Sequence, residues 1–154
     1  MKAAQAHPWM VLAGLALGGT VTNSFARFAY GLILPAMKSE MAWTYAQAGW
    51  LNTANALGYI VGAIITMLFI GRRSPTLLFA FGLITTTIAL LATGLNAALW
   101  WQTMWRILAG LFGAMSFSTA GVLVAGLFKD SPRHNALAIA ILFGTGGGIG
   151  IVLA

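Results

Sequence analysis

Five long apolar segments dominate this chain and restrict what it can fold into. A helix needs roughly 20 mostly apolar residues to span a bilayer, and five segments reach that length. Charged residues make up only 6% of the chain, against about 25% in a soluble domain, so they cannot cover a water-facing surface. The sequence therefore predicts an all-α, polytopic membrane helix bundle that forms a single transmembrane domain over residues 1–154. The predicted helices cover about 9–34, 46–70, 76–95, 99–128 and 135–154.

The first apolar segment allows a second interpretation, as a cleaved signal peptide. Lys2 would supply the charged start, "WMVLAGLALGG" the apolar region and "SFA" before Arg27 the cleavage site. The apolar run continues past this site in "FARFAYGLILP", however, and is expected to stop at Pro35. This continuation favours a retained first helix.

The basic residues of the connecting segments predict the orientation of the bundle, because cytoplasmic loops are enriched in Lys and Arg. One side carries five of them and the other side only Lys38. We therefore expect a multi-pass protein of the inner cell membrane with a cytoplasmic N-terminus. The five basic residues of the cytoplasmic side are Lys2, Arg72, Arg73, Lys129 and Arg133.

Three of the predicted helices carry polar residues at helical spacing, which places those residues on one face of each helix. A central arginine that faced lipid would cost about 2.5–3.5 kcal/mol, so we expect these faces to surround a shared wet cavity. The faces are Thr20, Asn23, Arg27 and Tyr30 in helix 1, Asn52, Asn55 and Tyr59 in helix 2, and Gln102, Arg106, Gly110 and Gly113 in helix 4.

The two membrane arginines, Arg27 and Arg106, have no acidic partner nearby, because the only acidic residues, Glu40 and Asp130, lie in loops. Their partners must be backbone carbonyls, water, an acid from another segment or a bound anion. Arg106 is equally consistent with a structural role at a helix break, and the asparagines of helix 2 with interhelical hydrogen bonds. The candidate solute-binding residues are Asn23, Arg27, Tyr30, Asn52, Asn55 and Arg106.

Catalytic chemistry has little support in this sequence. The chain has no cysteine and only two acidic residues, and its two histidines, His7 and His134, lie in separate segments. We therefore expect no enzyme activity, no metal site and no cofactor. Nucleic acid is not an expected partner either, because the basic residues are scattered along an apolar chain.

Glycine is frequent, with 19 residues in the chain. Small residues four apart allow close helix packing in membranes, and the stretch "FGTGGGIG" (143–150) is consistent with either a very close crossing or a bendable helix. The candidate packing or hinge residues are Gly110, Gly144, Gly146, Gly147, Gly148 and Gly150.

Several stretches resemble the major facilitator superfamily. "LNTANALGYIVGAIITMLFIGRRS" (51–74) is similar to its second helix and the following basic loop, matched by Gly71, Arg72 and Arg73, although the usual acidic residue is missing. "WRILAGLFGA" (105–114) resembles the Arg-x-x-x-Gly motif of its fourth helix, and "GTGGGIGI" (144–151) its glycine-rich fifth helix. "RFAYGLILPAM" and "QAGWLNTANALGY" are most similar to the YbfB/YjiJ-type branch.

The resemblance implies an alternating-access secondary transporter. Arg27, with Asn23 and Tyr30, indicates a small anionic or polar solute, and protons are expected as a further partner. The family has two six-helix halves with the solute between them, so this chain would be a truncated N-terminal half, completed by a C-terminal half or another chain. Gly71, Arg72 and Arg73 would then form a cytoplasmic gating loop. The alternative is a small membrane scaffold or oligomer, or an inactive transporter fragment, that moves nothing.

Overall fold

Five helices joined by short loops make up residues 7–152, the part of the chain that this computed structural model describes; the side chains of residues 28, 29 and 147–152 lie outside that description. No strand occurs among these residues, and the predicted all-α fold class is confirmed. The helices are α1 (Pro8–Glu40), α2 (Tyr45–Phe69), α3 (Pro75–Thr93), α4 (Leu99–Leu127) and α5 (Pro132–Val152).

Four of these helices, α1 to α4, are long and apolar enough to cross a membrane. The fifth, α5, has 21 residues, which at 1.5 Å per residue gives about 32 Å, close to the thickness of a bilayer's hydrocarbon core. The structure is therefore that of a multi-pass membrane bundle. Residues 153 and 154, which the sequence assigns to the fifth helix, lie outside the described residues.

The first helix differs from its prediction in two ways. It does not stop at Pro35 but runs through it to Glu40, because a membrane helix tolerates a proline where its surroundings compensate for the lost backbone hydrogen bond. Its middle, Thr20–Ala29, is a π-helix rather than an α-helix. Helix α1 thus has an α-helical beginning, a π-helical centre and an α-helical end that contains Pro35.

The starts of the later helices follow local sequence rules. Thr44 and Gln47 form a capping box at the start of α2, in which the Gln47 backbone N–H donates to Thr44 Oγ1 over 3.2 Å. Helix α3 begins at Pro75 and α5 at Pro132, where the missing proline N–H has no intrahelical role. The predicted start of α5, near residue 135, was therefore three residues too late.

Helix α4 lies at the centre of the bundle and packs against the other four helices, most extensively against α2 and α3. Glycines make this close approach possible. A Cβ atom at Gly58 or Gly62 of α2 would collide with the backbone carbonyls of Ile107 and Leu111 of α4. On the α3 side, a Cβ at Gly82 would lie 2.8 Å from the carbonyl oxygen of Phe112. Helices α2, α3 and α4 therefore form a tightly packed layer.

Candidate solute-binding cleft

A cavity of about 490 Å³ opens between α1 and α2. Its volume lies within the ~300–1,000 Å³ that small-molecule sites occupy. Among the described residues no acidic side chain lines it, and Arg27 is the one charged lining residue. The lining residues are Arg27 and Gly31 of α1 and Asn52, Thr53 and Ala56 of α2.

Arg27 is exposed at this cleft. Its guanidinium carbon lies 5.3 Å from the ring centroid of Tyr59 on α2, within the range of a cation–π interaction. Glu40 stands thirteen residues further along α1, about 20 Å away at 1.5 Å per residue. Within the described part of the chain no ion pair or hydrogen bond engages this guanidinium, so it can meet a ligand.

Arg106 has a different environment. It is fully buried, its Nη1 donates to the carbonyl oxygen of Ala26 over 2.6 Å, and its guanidinium carbon lies 3.6 Å from the ring centroid of Tyr30. Its Nε and Nη2 have no hydrogen-bond partner among the described residues. The structure thus places Arg106 and Tyr30 together, between α4 and α1 and outside the cleft lining.

The two asparagines of α2 also differ in their environment: one is exposed at the cleft and the other is buried. Asn52 is exposed and lines the cleft. Asn55 is buried, and its Nδ2 donates to the carbonyl oxygen of Arg106 over 3.0 Å. Gly110 lies at the same contact, because a Cβ there would collide with the carbonyl of Asn55. Asn55 and Gly110 therefore join α2 to α4.

Asn23 takes part in a polar contact between the π-helical segment of α1 and helix α5, here called the α1–α5 latch. Asn23 Nδ2 donates to the carbonyl oxygen of Gly146 over 3.2 Å, and Ser24 Oγ donates to the same oxygen over 2.8 Å. Thr20 Oγ1 reaches the carbonyl of Thr145 at 3.4 Å. The latch consists of Thr20, Asn23, Ser24 and the carbonyls of Thr145 and Gly146.

The π-helix explains why the polar residues of α1 do not share one face. A π-helix bonds residue i to i+5 and so has more residues per turn than an α-helix. The α-helical spacing of Asn23, Arg27 and Tyr30 therefore does not align them, and they point to α5, to the cleft and to Arg106, respectively. The predicted shared cavity, with polar faces from helices 1, 2 and 4, was wrong for α4, whose polar face is packed.

The remaining predicted residues lie away from the cleft lining. Gly71, Arg72 and Arg73 are exposed in the loop between α2 and α3. An added Cβ at Gly144 would meet no atom within 4 Å, whereas one at Gly146 would lie 2.6 Å from the Phe117 ring. The surroundings of Gly147, Gly148 and Gly150 lie outside the described residues.

Three residues that line the cleft were not among the predicted site residues: Gly31, Thr53 and Ala56. Tyr59, which contacts Arg27, was predicted only as part of the polar face of helix 2. Gly31 stands one α-helical turn after Arg27, and Thr53 directly follows Asn52. These two positions relative to Arg27 and Asn52 could have suggested that both residues line the same cavity. Glycine and threonine, however, lack the charge or size that usually marks a binding residue. Among the residues that the structure describes, no three potential metal-binding side chains come together.

A comparison with known families gives a match over nearly the whole chain. The family model described as "Uncharacterised MFS-type transporter YbfB" matches residues 9–154, which is nearly the whole chain and includes every residue of the cleft. No curated protein and no solved structure matches the chain.

Proposed function

We propose that this chain, which belongs to the YbfB-type family of major facilitator superfamily transporters, binds a small anionic or polar solute in the α1–α2 cleft with Arg27 as the anion-binding group. The family membership confirms the resemblance found in the sequence. Transport by an MFS-type transporter is the function that this membership supports. The class of solute, its binding site and the alternating-access mechanism are our proposals beyond that family membership.

The observation that supports this site is the contrast between the two membrane arginines. Arg106 is stacked on Tyr30 and bonded to a backbone carbonyl, whereas Arg27 lines an open cavity whose described lining residues include no acidic side chain. An uncompensated charge within a membrane is costly. A carboxylate in the cleft would offset that cost, because guanidinium binds carboxylate through two parallel hydrogen bonds.

Arg106 acts in this proposal as a positioning residue. Its Nη1 holds the carbonyl of Ala26, the residue that directly precedes Arg27. Asn55 in turn holds the carbonyl of Arg106, so a chain of contacts runs from α2 through α4 to the backbone beside Arg27. This chain fixes the π-helical segment and with it the position of the Arg27 side chain.

The orientation remains as the sequence predicts it. We place the N-terminus and the α2–α3 and α4–α5 loops in the cytoplasm, because these loops carry four exposed basic residues, Arg72, Arg73, Lys129 and Arg133. Arg72 and Arg73 are then available as a cytoplasmic gating loop, with protons as the coupled ion. A second helical half, from the same protein or another chain, would complete the pathway.

Uptake of radiolabelled organic anions into proteoliposomes, together with equilibrium binding, tests the role of Arg27. Arg27→Gln removes a charge-assisted interaction worth about 1.5–3 kcal/mol, so we expect the affinity for the transported anion to fall about 10–100-fold. Arg27→Lys keeps the charge and should retain part of the affinity. Arg133→Gln, exposed at the start of α5 and away from the cleft, is the matched control. Unchanged affinity of Arg27→Gln for every bound anion would reject the proposed site.

A further inference from the structure

We infer that the α1–α2 cleft selects a solute with a single carboxylate and an uncharged, hydroxylated body. This inference rests on the proposed function and specifies its solute class. Three features of the cleft support it: its single cation, a backbone carbonyl that has lost its helical donor, and two uncharged polar side chains on α2.

The first feature limits the charge of the solute. Arg27 is the one cation among the described residues that line the cleft. Arg106 is buried against Ala26 and Tyr30. Lys38 lies eleven residues along α1, about 16 Å at 1.5 Å per residue, and its Nζ sits 3.9 Å from the ring centroid of Tyr45. One negative charge can thus pair directly with a guanidinium in the cleft, whereas a second would meet no cation among the described lining residues.

The second feature is an acceptor produced by Pro35. Proline has no backbone N–H and cannot donate to the carbonyl four residues earlier. Within α1 that carbonyl belongs to Gly31, which lines the cleft. Gly31 is exposed, and an added Cβ there would meet no atom within 4 Å, so no described side chain from another helix covers this residue. The Gly31 carbonyl is therefore available to accept a hydrogen bond from a solute hydroxyl.

The third feature is the pair of polar residues on α2. Thr53 Oγ1 donates to the carbonyl of Gly49 over 3.3 Å, so its oxygen is left as an acceptor. The Asn52 amide is exposed to the cleft and offers both a donor and an acceptor. These groups match hydroxyls, which donate and accept, better than an alkyl chain, which does neither.

A matched set of six-carbon probes tests the inference on the purified protein in detergent, with calorimetric titration above neutral pH. Gluconate carries one carboxylate and hydroxyls, glucarate carries two carboxylates, hexanoate lacks the hydroxyls, and glucose lacks the charge. We expect gluconate to bind, glucarate and hexanoate to bind about tenfold or more weakly, and glucose to show no binding. A tenfold difference corresponds to about 1.4 kcal/mol.

Each departure from this pattern has a defined meaning. Glucarate binding as tightly as gluconate would overturn the limit to one charge, and hexanoate binding as tightly would overturn the hydroxylated body. Either result leaves the proposed anion site at Arg27 intact. Glucose binding as tightly as gluconate would overturn both the need for a carboxylate and the role of Arg27 as the anion-binding group. If none of the four binds at millimolar concentration, the inference is rejected, while the labelled-anion experiment above still decides the role of Arg27.

Two variants test the separate features. Thr53→Lys adds a second cation to the cleft and should raise glucarate affinity about tenfold relative to gluconate. The control is Ala46→Lys, which is exposed on the same helix outside the lining and should leave this ratio unchanged. Pro35→Ala returns a donor to the Gly31 carbonyl and should weaken gluconate about fivefold without weakening hexanoate. No shift in either preference, in variants that remain monodisperse, would contradict the assignment.

Discussion

Two arginines in this bundle are each followed four residues later by a glycine, and the two pairs have opposite surroundings. Around Arg106 and Gly110 of α4 everything is packed: the arginine is fully buried, and an added methyl group at the glycine would strike the carbonyl of Asn55. Around Arg27 and Gly31 of α1 the bundle is open, and the same methyl group would meet nothing within 4 Å.

The difference shows that an Arg-x-x-x-Gly spacing has no fixed role of its own. On α4 the glycine lets α2 approach, and the arginine meets a carbonyl and an aromatic ring from α1. On α1 the glycine exposes backbone to a cavity, and the arginine faces the same cavity. The role depends on whether a neighbouring helix covers the pair, and the predictions below test that dependence.

The largest effect is expected at the packed glycine. Gly110→Ala should lower the free energy of unfolding by about 3 kcal/mol, because the collision is with backbone, which cannot rotate away. SDS titration of the purified protein, followed by circular dichroism, measures this loss. The control is Gly121→Ala on the same helix, where an added Cβ meets no atom within 4 Å. Equal stability of the two variants would mean that α2 and α4 are not in close contact.

A smaller effect separates the two arginines. Arg106→Lys keeps the charge but loses the planar stacking on Tyr30 and the geometry of the bond to Ala26, so we expect a loss of about 2 kcal/mol. Arg27→Lys, at an exposed position, should change stability by no more than about 0.5 kcal/mol. Thermal unfolding of both variants, each in the same detergent, provides the comparison. A loss at Arg27 as large as that at Arg106 would show that Arg27 is also structural.

The sequence predicted the positions of the helices better than it predicted which polar residues face the cleft and which are packed between helices. A span is a local property: about 20 apolar residues are needed and can be counted. Which side chain of α1 faces a cavity depends on the π-helical conformation of Thr20–Ala29. The spacing of polar residues in the sequence does not predict that conformation. The threonines of this segment were one local signal. The hydroxyls of Thr20 and Thr22 donate to carbonyls four residues earlier, and such hydrogen bonds often bend helices.

The same reasoning covers Pro35 and α4. Proline was expected to end helix 1, yet α1 continues to Glu40, because the surroundings and not the residue alone decide whether a membrane helix can continue. The polar face of α4 was expected to line a cavity, but Gln102 instead donates to the carbonyl of Thr93, the last residue of α3, and to that of Asn96 in the following loop. Both outcomes depend on neighbouring helices that the local pattern does not specify.

The α1–α5 latch tests how firmly the open side of α1 is held. Asn23 and Ser24 donate to the same Gly146 carbonyl, so either residue alone can keep α1 hydrogen-bonded to α5 at that oxygen. Asn23→Ala and Ser24→Ala should each cost less than about 1 kcal/mol, and the double variant should cost about 1 kcal/mol more than their sum. A double-mutant cycle of unfolding free energies measures this coupling. Strict additivity would indicate that the two side chains do not share an acceptor.

The smallest expected effect lies at the open glycine and has the opposite sign to that at Gly110. Gly31→Ala should raise the free energy of unfolding by about 0.5 kcal/mol, because alanine restricts the unfolded chain and meets no obstacle in the folded one. Gly14→Ala, on the same helix and equally unobstructed, should give the same gain. The two variants should differ in gluconate binding, because only the methyl group at position 31 enters the cleft. A loss of stability at position 31 alone would mean that a neighbouring segment covers the cleft, and Arg27 would then belong with Arg106 as a packed residue.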